Sequence, residues 1–310
     1  MSVTSALATT VGSAGVAGMS LVGAETLLAL TPIVIKQTPL DPISTIWTRI
    51  LPSFILGYGF SKDHTLKGDD RLAAAALGNI NLLHVASSYE AFRNLPAGQA
   101  MSIFYTFPLW IVLFGSFFLG ESIRPFDYGC MAIAAIGSVL LNQDPGRTAP
   151  SLGRPPQYGW GTLMGLTAAV TEAGMTTILH SLGWMDAAKS VWVVNGSAAL
   201  WLSVVLGITA ITDEIAGPKI TGDITDAVWL TFFHSISTFA GYWLRFFAIP
   251  RLSSVTFAIL SYSGLLVSYI FGWWFLKEHP GWMSLLGAGC IIVSGIMLQV
   301  WSPISSKPQD

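Results

Sequence analysis

The chain has 310 residues, 52% hydrophobic and only 10% charged, against roughly 25% charged in an ordinary soluble domain. With a mean hydropathy of +0.61, this composition excludes a soluble protein with an oily core and implies a membrane protein crossing the bilayer many times. The net charge of −2 comes without any basic tract, so nothing points to nucleic acid. Cys130 and Cys290 lie in separate apolar stretches and build neither a disulfide framework nor a metal-ligand spacing. No metal and no cofactor is expected.

A spanning helix needs about 20 mostly apolar residues. Taken in order, the apolar runs predict ten helices, at 14–35, 43–60, 72–92, 97–119, 126–141, 160–182, 189–211, 228–247, 253–276 and 282–300. The first fifteen residues carry no Lys or Arg, so the first helix is expected to be retained and not cleaved as a signal peptide. Charged loops are predicted at 61–71 and 212–226, and a Pro/Gly-rich linker at 142–159.

The chain is written twice. Tyr105, Phe114-Gly115, Phe118-Leu119 and Glu121 return 157 residues later as Tyr262, Phe271-Gly272, Phe275-Leu276 and Glu278. After one inserted residue, Gly129 and Gly137 return as Gly287 and Gly295. The expected organisation is therefore a first repeat at 1–141, the linker, a second repeat at 160–301 and a tail at 302–310. Five helices is an odd number, so the second repeat must enter the membrane upside down. The fold class predicted is all-α, with ten transmembrane helices in two inverted five-helix repeats and a site near the midplane between them. Loop Lys and Arg number eight on the side of the termini and six on the other, which places the termini in the cytoplasm.

Ionisable groups inside a span cost roughly 2.5–3.5 kcal/mol each on insertion scales, so each is a functional candidate. Those singled out within the predicted spans are Glu25, Arg49, His84, Glu90, Glu172, His180, His234 and Arg245. Glu25 and Glu172 sit mid-helix in equivalent helices of the two repeats, where a carboxylate can exchange a proton for a cation. Asn81, His84 and Ser88 form one stripe, and Thr238 and Arg245, with His234 a turn earlier, form its counterpart. The two stripes are expected to face each other across a water-accessible space. Arg49 is placed to bind an anionic group, to pair with Glu25 or to snorkel to the interface, and Tyr105 and Tyr262 either offer rings and hydroxyls or pack in the core. Interhelical hydrogen bonds alone, at about 0.6 kcal/mol apiece, are the plainer account of any single polar residue here. Trp47 and Trp192 read as interface anchors, and Glu121 and Glu278 as structural charges before the next helix. Pro108 should bend the fourth helix, whereas Leu265, its counterpart, should leave the ninth straight.

The segments LPAGQAMSIFYTFPLWIVLFGSFFLGE with GCMAIAAIG, and LSSVTFAILSYSGLLVSYIFGWWFLKE with GAGCIIVSG, resemble the drug/metabolite transporter superfamily, in particular its ten-helix EamA-like members. Lys36 and Arg49 fit the same pattern, and the likeness covers roughly residues 14–300. The resemblance implies a five-plus-five inverted repeat and alternating access. It also implies a central cavity lined by the first, third, fourth, sixth, eighth and ninth helices. Many such proteins carry an aromatic where Glu25 stands, and the related small multidrug exporters carry a glutamate in their first helix. That departure favours a cationic or zwitterionic, amino-acid-like substrate exchanged against protons. A monomer or homodimer in the cell membrane is expected. Nucleotide-sugar or phosphorylated-metabolite exchange is the alternative, and it wants more cavity-facing Lys/Arg than Arg49 and Arg245. The spans contain no Asp pair and no HExxH motif, so an enzyme is not expected.

Overall fold

The computed structural model describes residues 3–38, 40–66, 68–94, 97–141, 158–183, 185–212, 223–276 and 281–301. Among them every regular element is helical. The order is α1 (Val3–Leu28), α2 (Thr31–Gln37), α3 (Pro42–Phe60), α4 (Gly68–Asn94), α5 (Ala97–Phe104), α6 (Phe107–Leu119) and α7 (Pro125–Leu141). Then follow α8 (Tyr158–Ser181), α9 (Ala187–Thr212), α10 (Ile224–Ala248), a 3₁₀ turn at Ile249–Arg251, α11 (Ser254–Leu276) and α12 (Trp282–Trp301). Most of the linker, the tail at 302–310, and Glu278 lie outside the described residues.

Prolines turn ten predicted helices into twelve segments. The predicted first helix is broken, because α2 restarts at Thr31 with a proline in its first turn. The fourth breaks where Pro108 removes a backbone donor: α5 stops at Phe104 and α6 begins at Phe107. Tyr105 sits in that break. By contrast α11 runs unbroken through Leu265. Pro52 lies inside α3 and leaves the Thr48 carbonyl without its helical partner. The Ser235 hydroxyl on α10 donates to that carbonyl at 2.6 Å. A helix defect thus becomes an interhelical contact.

Three helical stretches, Ala14–Ile35, Ala187–Ile208 and Ser254–Phe275, are long and apolar enough to cross a bilayer on composition alone. Phe107–Leu119 and Pro125–Leu140 are shorter apolar helices, and α4 carries the polar Asn79, Asn81, His84 and Glu90. Large apolar side chains face outward all the same, among them Phe117, Phe118, Trp229 and Trp274. That is the surface hydrocarbon would solvate.

The packing divides into two inner groups. In the first, α4, α5 and α6 pack on α8; in the second, α10 and α11 pack on α1. Outside them α3 pairs with α9 and α7 with α12. Exchanging the first five predicted helices with the last five maps these pairings onto themselves: α1–α10 becomes α8–α4, and α3–α10 becomes α9–α4. The repeated aromatics also match. Phe114–Phe118 centroids lie 5.7 Å apart and Phe271–Phe275 centroids 5.8 Å, both edge-on.

The repeated glycines mark the α7–α12 crossing. A Cβ at Gly137 would stand 2.7 Å from the Gly287 carbonyl oxygen, with the Cys290 side chain at 2.9 Å. Gly137→Val is expected to prise the pair apart at a cost of about 1–3 kcal/mol, read as a lowered unfolding midpoint in detergent. An unchanged midpoint would mean the crossing has slack.

At one end of the bundle, buried Lys189 at the start of α9 donates from Nζ to Asp63 Oδ2 and to the Thr65 carbonyl, each at 2.7 Å. Lys189, then the hydroxyl and N–H of Thr65, hold the exposed Asp63 carboxyl well below the usual carboxylate range. A depressed folded value means the clamp contributes fully above the ordinary aspartate range, about 3.9, and is lost as the pH falls through and below it. Asp63→Asn should therefore lower the melting temperature at neutral pH. That difference should narrow progressively as the pH falls below about 4, where the unfolded aspartate takes up its proton; a difference that stays the same between neutral pH and about pH 3 would remove the clamp from the account.

Candidate functional site

The breaks and polar stripes converge on a dry cluster of charges. On α10, Arg245 Nη1 lies 3.3 Å from Glu25 Oε1 of α1, and Nη2 lies 2.7 Å from Glu172 Oε1 of α8. The second oxygen of Glu172 stands 3.3 Å from His84 Nε2 on α4. His84 Nδ1 is 3.0 Å from the Ala168 carbonyl oxygen. A carbonyl can only accept, so Nδ1 carries the hydrogen and Nε2 is the nitrogen turned toward the carboxylate. Phe107 and Phe257 flank the guanidinium of Arg245, with ring centroids 5.2 and 5.4 Å from its carbon. In this low-dielectric setting each charge depends on its partner.

Tyr105 and Tyr262, equivalent in sequence, meet with ring centroids 6.4 Å apart and planes 27° from parallel. Their helices approach closely because residue 264 is glycine. A Cβ there would stand 2.5 Å from the Tyr105 hydroxyl and 2.6 Å from Glu25 Oε2. Beside this centre, Arg49 donates from Nη2 to the Tyr242 hydroxyl at 2.5 Å, with its guanidinium carbon 5.4 Å from the ring centroid. His234 Nε2 faces the Tyr89 hydroxyl at 3.4 Å.

Glu25, Arg49, Asn81, His84, Ser88, Tyr105, Glu172, His234, Thr238, Arg245 and Tyr262 are all buried here, none more than 7% exposed. Both stripes therefore lie buried in this conformation. Glu25, His84, Glu172 and Arg245 form one ion-paired cluster, with Tyr105 and Tyr262 beside it. Asn81 instead turns to α9, donating to the Val194 carbonyl and to Asn195 Oδ1, each at 3.2 Å. Ser88 bonds back to the Val85 carbonyl at 2.9 Å. The Thr238 hydroxyl has no protein partner among the described residues. The expected pairing of Arg49 with Glu25 is not formed; Arg245 takes that carboxylate.

Several other placements differ from expectation. Glu90 lies at the end of α4 and pairs with Arg93 at 3.0 Å, and His180 lies in the last turn of α8. Neither is mid-span. Buried Arg245 leaves the loop count of cations, which then stands nearly even between the two sides. Trp47 donates to the Ser203 hydroxyl of α9 at 3.0 Å, an interhelical contact. Trp192 meets Tyr58 of α3 edge-on. Glu121 serves α11 and not the next helix: its Oε2 accepts from the Ser254 N–H at 3.1 Å. Asp127 reaches back to the Arg124 N–H at the start of α7 instead. Tyr89 and Tyr242 were not picked out from the sequence. Tyr242 stands three residues before Arg245 on the same helical face, which was the available signal.

Helical segments with an apolar outer surface and a buried, ion-paired centre define a multi-pass membrane protein. The profile of the EamA-like transporter family matches residues 15–143 and again 159–300, and the chain belongs to that family of the drug/metabolite transporter superfamily. It is 21% identical over 226 residues to the pseudopaline exporter CntI of Pseudomonas aeruginosa, in two strains, covering 71% of this chain and 72% of the exporter. A solved crystal structure of a protein superposes with a TM-score of 0.72 at 17% identity, covering 93% of this chain and 97% of that one. That likeness concerns the fold.

Proposed function

We propose that the protein is a secondary-active transporter that moves a small polar or amphipathic metabolite, amino-acid-like and cationic or zwitterionic, by alternating access in exchange for protons. The observation that carries the reading is the 2.7 Å ion pair between Arg245 and Glu172. It runs from the group of α1, α10 and α11 to the group of α4, α5, α6 and α8. The contact of Arg245 with Glu25, at 3.3 Å, stays within its own group. Separating the groups to admit a solute breaks the first pair and leaves the second. A proton or a substrate ammonium on Glu172 replaces the charge that Arg245 withdraws, and either one lets the site open.

Arg49 pairs with no carboxylate among the described residues, so it is available to the anionic end of a zwitterion. The self-mapping helix pairs and the doubled family match support the inverted repeat. The exporter relative supports outward movement across the cell membrane.

The test is purified protein in liposomes, loaded with the twenty protein amino acids and putrescine, under an imposed pH gradient, with mass spectrometry of both sides. Gradient-driven redistribution of at least one amino or amine solute is expected. If none of them moves, and labelled nucleotide sugars exchange without response to the gradient, the alternative exchanger takes its place.

A further inference from the structure

The sequence and the proposed exchange leave open where the proton sits. We infer that it is held between His84 and Glu172, and that its presence licenses separation of the two helix groups. The inference rests on the proposed proton exchange and assigns its site. With Nδ1 donating to the Ala168 carbonyl, the Nε2 of a neutral His84 presents a lone pair to Glu172 Oε2 across 3.3 Å. Two acceptors at that distance repel, and one proton between them turns the contact into a charge-assisted hydrogen bond.

The division of charges makes the proton decisive. While the groups are together, Arg245 serves both carboxylates. When they part, Arg245 leaves with Glu25. Glu172 keeps His84 as its partner from α4, and Phe104 covers the other side of the imidazole with centroids 5.8 Å apart. From α3 and α10, Arg49 and Arg245 add positive charge, and from α8 Glu172 adds negative charge. α9 turns the neutral Asn195 toward α4. A protonated His84 leaves both groups neutral: Glu25 with Arg245, Glu172 with imidazolium. An unprotonated one leaves an uncompensated carboxylate in group one, and the groups stay closed. The balance is one proton from water onto Nε2 as one guanidinium withdraws from Oε1. His84 is a positioning and proton-holding partner of Glu172.

The test needs no substrate. Spin labels go on Ser122→Cys and Arg251→Cys at one end, and in a second protein on Arg93→Cys and Thr225→Cys at the far ends of α4 and α10. Cys130 and Cys290 are replaced by serine, and distances are read by double electron–electron resonance in lipid nanodiscs from alkaline to acid pH. In the parent, one label pair should gain a longer distance on acidification. His84→Gln keeps a hydrogen-bonding side chain that takes no proton. It should move that transition to a lower pH, because the proton must then sit on the carboxylate alone. His84→Gln with Glu172→Gln should open to the same extent at every pH, which a merely misfolded variant would not do. A parent with no pH response overturns the inference, as does a His84→Gln transition at the parental pH. If His84→Gln tracks the parent while Glu172→Gln still abolishes driven transport, only the histidine assignment falls and the proposed exchange stands.

Discussion

Arg245→Gln is expected to destabilise the protein by about 3–5 kcal/mol, because it strips two buried carboxylates of their shared cation. Glutamine is shorter and neutral, so Glu25 and Glu172 would be left 2% and 1% exposed with no guanidinium between them. Both would need to be protonated at neutral pH for the closed packing to survive. The unfolding midpoint in detergent should fall steeply and recover in part on acidification, as the carboxylates gain protons. Adding Glu25→Gln and Glu172→Gln should restore much of the loss at neutral pH, since no buried charge remains to be matched. Arg245→Lys should fall between, because an ammonium keeps the charge but cannot span two carboxylates in a fixed fork. A small loss for Arg245→Gln, with no benefit from the two glutamines, would mean the carboxylates are already protonated and the cluster is hydrogen-bonded, not ionic.

The repeated motifs could be read from the sequence because they are identities at a fixed spacing. Tyr105 and Tyr262 were matched by offset alone, and their rings meet. The residues that carry the charges were legible for a similar reason: an ionisable group in an apolar run stands out. Their partners were not. Which arginine reaches Glu25 depends on how α1 crosses α10, and no linear spacing encodes that crossing. Arg245 also sits in the last turn of α10, where a sequence reader places a loop cation, although its side chain is only 4% exposed. Tyr89 and Tyr242 were hidden by abundance, since eight tyrosines, seventeen phenylalanines and twelve tryptophans give no single ring any prominence. The break in the first predicted helix was missed because Pro32 falls near its end, where a helix stop was already assumed. Glu121 was placed at a helix start correctly in kind but on the wrong helix, because the cap joins residues 133 apart in sequence.

The central claim is that the Arg245–Glu172 contact must be released, and its charge replaced, in every cycle. Glu172→Gln keeps the shape of the side chain and removes both the charge and the proton. In liposomes holding the amino acid and putrescine mixture, the parent should concentrate its solute against a gradient when a pH difference is imposed. Glu172→Gln should fail to concentrate it, yet should exchange labelled for unlabelled solute at any pH, since the groups no longer wait for a proton. Glu25→Gln should also lose accumulation, because Arg245 then has one carboxylate and no reason to leave it. If Glu172→Gln builds the same gradient as the parent, with the same dependence on pH, the carboxylate is a packing residue and the account is wrong at its centre.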